Sequence, residues 1–325
     1  MNLDSSGFAI SFIIPVLNGE KYIKGCLDHI CREMAPEDEI IVVDNGSTDT
    51  TTEIVKGFVE VKLLQYPGVT ISALRNRGAA QAKENLLAFI DCDCLVCPGW
   101  RAAAIEILGN EQVTATGSHY DFPENPTWVE KAWLSARTLT AKPAEYIVGG
   151  NFIITWEAFE AVKGFDETMV TDEDTEIGTR LRQRGYRIIN APQVRVIHLG
   201  NAKTIGQFIK KEKWHSTSML RKMNCRHIDK PMLMTFAYLF CVLTALATTP
   251  AAIMAKVNPA IPVALVLLVP VVTVIYRLYQ FGSYRYFFPQ VVLYLLFYSV
   301  RVSTMVNHLL IGRNTTQRLR DPLEG

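Results

Sequence analysis

Leu86-Leu87-Ala88-Phe89-Ile90-Asp91-Cys92-Asp93 runs five apolar residues straight into two carboxylates separated by one residue. An unbroken apolar run of this length reads as a strand buried on both faces, the kind found in parallel sheets. The carboxylates then fall at its C-terminal end, where open α/β sheets place their ligands. Side chains alternate along a strand, so Asp91 and Asp93 point the same way if extension continues through Cys92. Two carboxylates on one side of a strand end suit a hard divalent cation that is also held by phosphate oxygens. The competing reading is a solvated Asp-rich turn.

The flanking sequence alternates strand with helix. Phe8 to Pro15 is a strand, followed by the loop Val16-Leu17-Asn18-Gly19-Glu20 and an amphipathic helix with Tyr22, Ile23, Cys26, Leu27 and Ile30 at helical spacing. Glu39 to Asp44 is a second buried strand ending in a carboxylate. Asn45-Gly46-Ser47-Thr48-Asp49 then turns the chain into a helix from Thr50 to about Phe58. Val61 to Leu64 is a short third strand, and Ser72 to Asn85 reads as a helix carrying Arg75 and Arg77. This alternation predicts a doubly wound, mainly parallel sheet. Two further strands end in polar loops, so the strand ends form a shared nucleotide pocket.

The chain has 325 residues, room for one large domain or two ordinary ones. A formal charge of +1 argues against a nucleic-acid partner. The 49% hydrophobic content is unevenly spread, with a soluble mix over 1–230 and a mostly apolar 231–311. Met1 to Gly7 is short and polar, with no secretory signal expected. The seven cysteines show no disulfide framework, and Cys92, Cys94 and Cys97 lack the second cluster that a zinc site needs. They read as reduced thiols in a cytosol-facing protein.

Four motifs stand in register: Ser11 to Asn18, Ile41 to Asp49, Ala73 to Gly78 and Phe89 to Asp93. In order and spacing they resemble glycosyltransferase family 2, inverting enzymes of the GT-A fold that use nucleotide-sugar donors. The resemblance continues through Gly149-Gly150-Asn151, Gly164-Phe165-Asp166 and Thr171 to Glu176, and covers roughly residues 8–200. Glu84-Asn85 stands where the family often has Gly-Glu, and Cys92 fills the middle of the D-x-D; both fit a turn or strand end.

The resemblance implies that Pro15, Val16, Leu17, Asn18, Glu20, Asp44, Asn45, Arg75 and Asp91 line the nucleotide pocket. Asp44 can accept from a base N–H and Arg75 offers a planar fork of donors; as a bland alternative Asp44 is a turn carboxylate. The resemblance places Asp91 near the ribose and Asp93 on a Mn²⁺ or Mg²⁺ ion that bridges the diphosphate, with Asp91 a further candidate ligand. His198, ending Val194 to His198, is a candidate third ligand or a structural histidine. Asp172-Glu173-Asp174 opens an amphipathic helix, where the macrodipole favours carboxylates. Asp172 is expected to cap that helix, and Glu176 to pair with Arg180. By resemblance Asp174 is the general base, with Glu173 as the alternative. Gly149, Gly150 and Asn151 are expected near the donor sugar, or form a plain tight turn.

The chain is thus expected to carry a GT-A domain over 1–203 and a basic juxtamembrane segment over 204–230, where Trp214 sits at the membrane interface or, as the resemblance implies, contacts the acceptor. A membrane region follows over 231–311. Pro231 to Ala255 is charge-free for 25 residues, enough to cross a hydrocarbon core of ~30 Å. Spans are expected at about 231–250, with Pro250 ending the first, and 260–279, kinked at Pro270. Only Lys256 lies between them, whereas both flanks are basic, so both ends face the cytoplasm. The helix at about 285–311 has a polar stripe of Gln290, Tyr294, Arg301, Thr304 and His308. It reads as interfacial, with a third span as the alternative, followed by a basic tail at 312–325.

The function expected is a metal-dependent inverting glycosyltransferase at the cytoplasmic (inner) membrane. It moves a sugar from a UDP- or GDP-sugar to a lipid-linked or polysaccharide acceptor in cell-surface polysaccharide synthesis, with membrane lipids as partners and no nucleic acid. The rival readings are a polyprenyl-phosphate glycosyltransferase, a nucleotidyltransferase and an inactive membrane scaffold.

Overall fold

A computed structural model describes residues 8–135, 140–169, 171–224, 229–281 and 285–311, without the side chains at 217–218, 221–224 and 311. The expected basic tail at 312–325, together with Arg226, lies outside the described residues, and so do the side chains of Arg221 and Lys222. The elements of the first half are β1 (Ile10–Val16), α1 (Ile23–Glu33), β2 (Glu39–Asp44), α2 (Thr51–Lys56), β3 (Val61–Gln65), α3 (Ile71–Ala79), β4 (Leu86–Ile90), β5 (Cys94–Val96), α4 (Trp100–Leu108) and β6 (Val113–Gly117). Then come α5 (Trp128–Leu134), β7 (Lys142–Pro143), β8 (Asn151–Thr155), α6 (Trp156–Ala161), α7 (Glu173–Gln183), β9 (Arg187–Asn190) and β10 (Val196–His198). The helices α8 (Ile205–Asn224), α9 (Lys230–Ile253), α10 (Ala260–Phe281) and α11 (Phe287–Ile311) complete the chain. It divides into two units, one of residues 1–123 and 138–201, the other of 124–137 and 202–325.

In the first unit β1 is buried along all seven residues. Ile10, Phe12 and Ile14 pack on one face with Ile23, Leu27 and Ile30 of α1 and Trp100 of α4. Ile13 faces the other way, among Leu74 of α3, Phe89 of β4 and Ile177 and Leu181 of α7. Burial on both faces is why these strands read as continuous apolar runs. The eight-stranded sheet has the order β3-β2-β1-β4-β8-β6-β9-β7. Strands β3, β2, β1 and β4 are mutually parallel and β6 is parallel to β9. β8 runs antiparallel to β4 and β6, and β7 antiparallel to β9. Because β1 lies between β2 and β4, the winding reverses there, and open α/β sheets bind their ligands beyond the strand C-termini at such a reversal.

Two local expectations change. The helix expected to reach Asn85 stops at Ala79, because the following backbone ties β4 to its neighbours: the Lys83 N–H donates to Glu39 Oε1 (2.6 Å) and the Glu84 N–H to Ser11 Oγ (3.3 Å). The extension expected through Cys92 ends at Ile90, because the Cys94 N–H turns back to the Asp91 carbonyl (2.9 Å). Asp91 and Asp93 therefore have different partners: Asp91 meets Arg75 and Asp93 meets His198.

The second unit is helical. α9, α10 and α11 are each long and apolar enough to cross a membrane, α11 being the least apolar. Pro250 lies inside α9, which runs on to Ile253 instead of ending at Thr249. The polar stripe of α11 has partners within this unit: Gln290 donates to the Ala132 carbonyl (3.1 Å) and Ser135 Oγ (2.6 Å), and Arg301 Nε lies 4.0 Å from Glu212 Oε2. Its exposed residues are Phe288, Val292, Ser303, Asn307, Leu309 and Leu310, four of them apolar. Two residues of the stripe that suggested an interfacial helix, Gln290 and Arg301, thus face other helices of this unit.

Val129 and Ala132 of α5 pack with Phe208 of α8 and Leu293 of α11, and Trp133, Leu296 and Phe297 adjoin them. Deleting 231–325 removes the α11 part of this cover. We expect a truncated chain that aggregates in size-exclusion chromatography; a monodisperse peak would show that α5 tolerates exposure.

Candidate active site

The loops after β1, β2 and β3 are fastened together by side chains from the predicted nucleotide pocket. Asn18 takes the left-handed conformation (φ 48°), donates its N–H to Ser47 Oγ (2.8 Å) and accepts the Thr48 N–H at Oδ1 (2.9 Å). Glu20 accepts the Thr50 N–H (3.1 Å) and hydroxyl (2.8 Å), and Asn45 exchanges two hydrogen bonds with the Val69 backbone. Pro15 and Val16 are buried as the floor, Leu17 is half-buried, and Asn18 and Glu20 are exposed. Asp44, expected to meet a base, is enclosed, and its carboxylate accepts the Gly46 N–H (3.0 Å) and the Ser47 N–H. It shapes the loop, as a turn carboxylate does.

Arg75 is fully buried on the inner face of α3. It donates to Asp91 Oδ1 at 2.8 Å and to Glu173 Oε1 at 2.6 Å, with its guanidinium 5.4 Å from the centre of the Phe165 ring. Burial works against its charge, but the two carboxylates outweigh that and hold its pKa above the ordinary value. The fork of donors expected to face a nucleotide is thus spent on joining β4 to α7.

The same contact separates the two acids left open by sequence. Glu173 is engaged by Arg75, whereas Asp174 accepts backbone N–H groups from Gly149 (3.2 Å) and Thr175 (2.7 Å). Burial, then the neighbouring charges of Glu173 and Asp172, push the Asp174 carboxyl up to about 7. Asp172 occupies the N-cap position with φ 64° and makes no capping hydrogen bond from its side chain, so it does not act as the expected cap. Glu176 pairs with Arg180 as expected.

Gly149 and Gly150 sit where a larger residue has no room. A Cβ on Gly149 would lie 2.9 Å from an Arg75 nitrogen, and one on Gly150 would lie 2.4 Å from Asp91 Oδ2 and 2.6 Å from the Tyr120 hydroxyl. Asn151, expected near the sugar, is wholly buried. It accepts Trp100 Nε1–H (2.9 Å) and donates to Ser118 Oγ (3.1 Å) and the Val194 carbonyl (2.8 Å), which makes it a structural clamp. Trp214 lies in α8 of the second unit, half-buried, its ring centre 4.8 Å from that of His215.

A second, two-stranded sheet brings the candidate metal ligands together. β10 pairs antiparallel with β5 so that His198 stands opposite Cys94, next to Asp93. His198 Nε2 lies 3.3 Å from Asp93 Oδ2, and its ring stacks on Tyr120 at 4.2 Å. The donor atoms of Asp93, Cys94 and His198 all lie within 4.8 Å of one another, the one such group among the described residues. The Gly200 backbone closes on the same carboxylate, since a Cβ there would stand 1.9 Å from Asp93 Oδ2. A carboxylate, an imidazole and a thiol fit a divalent cation. Asp91 is held on Arg75 and is not part of this group. Cys94 was missed because its companion His198 arrives from a distant strand, leaving no spacing to read.

A model described as glycosyl transferase family 2 matches residues 11–162, and one described as glycosyl transferase family group 2 matches 127–308, more than half of the chain. The chain is 28% identical over 223 residues to glycosyltransferase AglE of Haloferax volcanii, covering 62% of this chain and 70% of that protein. It is 26% identical to succinoglycan biosynthesis protein ExoA of Rhizobium meliloti, covering 60% and 64%. To glycosyltransferase GlyA of Streptococcus pneumoniae it is 32% identical, but the match covers 36% of this chain and spans only 17% of that much longer protein. Among solved structures, the mannosyltransferase PcManGT from Pyrobaculum calidifontis in complex with GDP-Man and Mn²⁺ superposes with a TM-score of 0.65 at 22% identity, over 94% of this chain and 88% of that one. GalNAc-T7 with UDP, GalNAc and Mn²⁺ gives a TM-score of 0.51 at 18% identity, over 64% and 48%. These likenesses show the GT-A fold.

Proposed function

We propose, given that the chain belongs to glycosyltransferase family 2, that it transfers one sugar, with inversion, from a nucleotide-diphosphate sugar to a lipid-linked saccharide. The observation that carries this reading is the division of labour between Glu173 and Asp174. One carboxylate is engaged by a buried arginine, and the other has a proton affinity near neutrality. An inverting transfer needs one base of that kind, able to take a proton from an acceptor hydroxyl at working pH.

In this reading Asp174 takes the hydroxyl proton as the oxygen attacks the anomeric carbon and the nucleotide diphosphate departs. The Gly149 N–H and the Thr175 N–H hold its carboxylate in place. Asn18, Glu20 and Asn45 shape the nucleoside end, and the Gly149-Gly150 backbone, packed against Arg75 and Asp91, borders the sugar. Asp93 and His198 would hold a divalent cation, Mn²⁺ or Mg²⁺, which when bound neutralises charge on the diphosphate. The GDP-Man and Mn²⁺ of the Pyrobaculum structure support that choice of donor class and metal. The polysaccharide relatives, ExoA and the O-antigen biosynthesis protein RfbC of Myxococcus xanthus, support a cell-surface glycan as the product. Three membrane-length helices support an acceptor carried on a lipid.

Calorimetric titration of the full chain with UDP and with GDP, each with and without Mn²⁺, tests the reading. One nucleotide is expected to bind in a manganese-dependent way, and Asp93→Asn to lose that dependence. Binding that ignores the metal in both forms removes Asp93 as a ligand, and folded protein that binds neither nucleotide overturns the donor class.

A further inference from the structure

Cys94 has no task in the transfer just described, although its sulfur is within 4.8 Å of the donor atoms of both Asp93 and His198. The β5–β10 register sets Cys94 directly opposite His198, so the two side chains leave the ribbon on the same face. Cys26 and Cys92 are also near these acids but are not in the group; the Cys26 thiol points to the Asp91 carbonyl at 3.7 Å. A four-coordinate cation with bonds of about 2.0–2.3 Å to N, O and S holds neighbouring donors roughly 3.3–3.8 Å apart. His198 Nε2 and Asp93 Oδ2 are already 3.3 Å apart, and the sulfur has little distance to close. Mg²⁺, by contrast, wants six oxygens in near-ideal octahedral array, and a buried thiol and imidazole are poor substitutes.

We propose that Cys94 is a third protein ligand, and that its sulfur tunes the centre to a borderline dication of the zinc type, leaving a coordination position open for a phosphate oxygen. On binding, the S–H bond breaks, a metal–sulfur bond forms and one proton passes to solvent. This rests on the reading of Asp93 and His198 as metal ligands and adds to it a donor that changes which metals are preferred.

Cobalt(II) is the probe, because a thiolate bound to it gives a sulfur-to-metal charge-transfer band in the near ultraviolet that oxygen and nitrogen donors do not. Titration of the full chain in detergent is expected to raise this band to saturation at one cobalt per chain, with release of about one proton. Cys94→Ser keeps cobalt binding but loses the band, and it weakens competition by Zn²⁺ by about tenfold or more. Cys92→Ser keeps the band. Cobalt bound to the wild type without the band, or a band that survives Cys94→Ser, overturns the assignment and leaves the Asp93–His198 reading standing. Cobalt affinity unchanged in both Asp93→Asn and His198→Ala overturns that underlying reading instead.

Discussion

Asp174→Asn is expected to bind the donor nucleotide as the wild type does and to transfer sugar about 10²–10⁴-fold more slowly. The amide keeps the shape and its single oxygen can still accept the Gly149 N–H, giving up the bond from the Thr175 N–H, so the loop stays in place while the proton acceptor is gone. Near-wild-type turnover would pass the role to Glu173. The pH dependence gives a second readout. Burial, with the charges of Glu173 and Asp172, raises the Asp174 carboxyl to about 7, so wild-type transfer should climb as pH rises through that value. Stability runs the other way. The folded carboxyl keeps its proton up to about 7, whereas an unperturbed one releases it near 3.8, so the folded state binds more protons across that window. Stability contributed by the protonated form is present below 3.8 and is lost as pH climbs to 7. The D174N variant lacks this slope, and its melting temperature should exceed the wild type's at pH 8 and approach it near pH 4.

Arg75→Met is expected to cost about 3–5 kcal/mol of stability, because it removes one cation from between two enclosed carboxylates. Methionine fills much of the volume, so the loss reports charge more than cavity. The side chains of Asp91 and Glu173 are only 24% and 12% exposed, and water cannot take over the role of the guanidinium. Thermal unfolding in detergent checks this. A shift confined to donor affinity, with stability unchanged, would instead mean that Arg75 serves the nucleotide.

The parallel half of the sheet was legible because β1, β2 and β4 are buried on both faces and each ends in polar residues. What pattern could not give was the direction of side chains beyond Ile90. The alternation rule placed Asp91 and Asp93 together, and a single backbone hydrogen bond from Cys94 to Asp91 sends them to different partners. The internal ties of Asn151 and Arg75 were hidden for a related reason. Amide and guanidinium groups suit ligands and internal ties equally well, and only the fold reveals that Trp100, Ser118 and Val194 use the one, and Asp91 and Glu173 the other. The Glu173–Asp174 ambiguity persisted because Arg75 is remote in sequence. On α11 a polar stripe signalled contact with something polar, and that turned out to be α5 and α8.

The placement of α5 bears on how such a chain can be inherited. Residues 124–137 belong with the helices, although sheet residues precede and follow them. A recombination event with a single breakpoint near residue 202 would bring in a foreign α8–α11 while retaining the old α5. The retained Ala132 and Ser135 would then lose Gln290, and Val129 and Ala132 would lose Leu293. A new helical unit can therefore be acquired whole only with three breakpoints, near residues 123, 137 and 201, or by slow co-adaptation of α5 and α11. Lineages that change their acceptor should show paired substitutions at these positions.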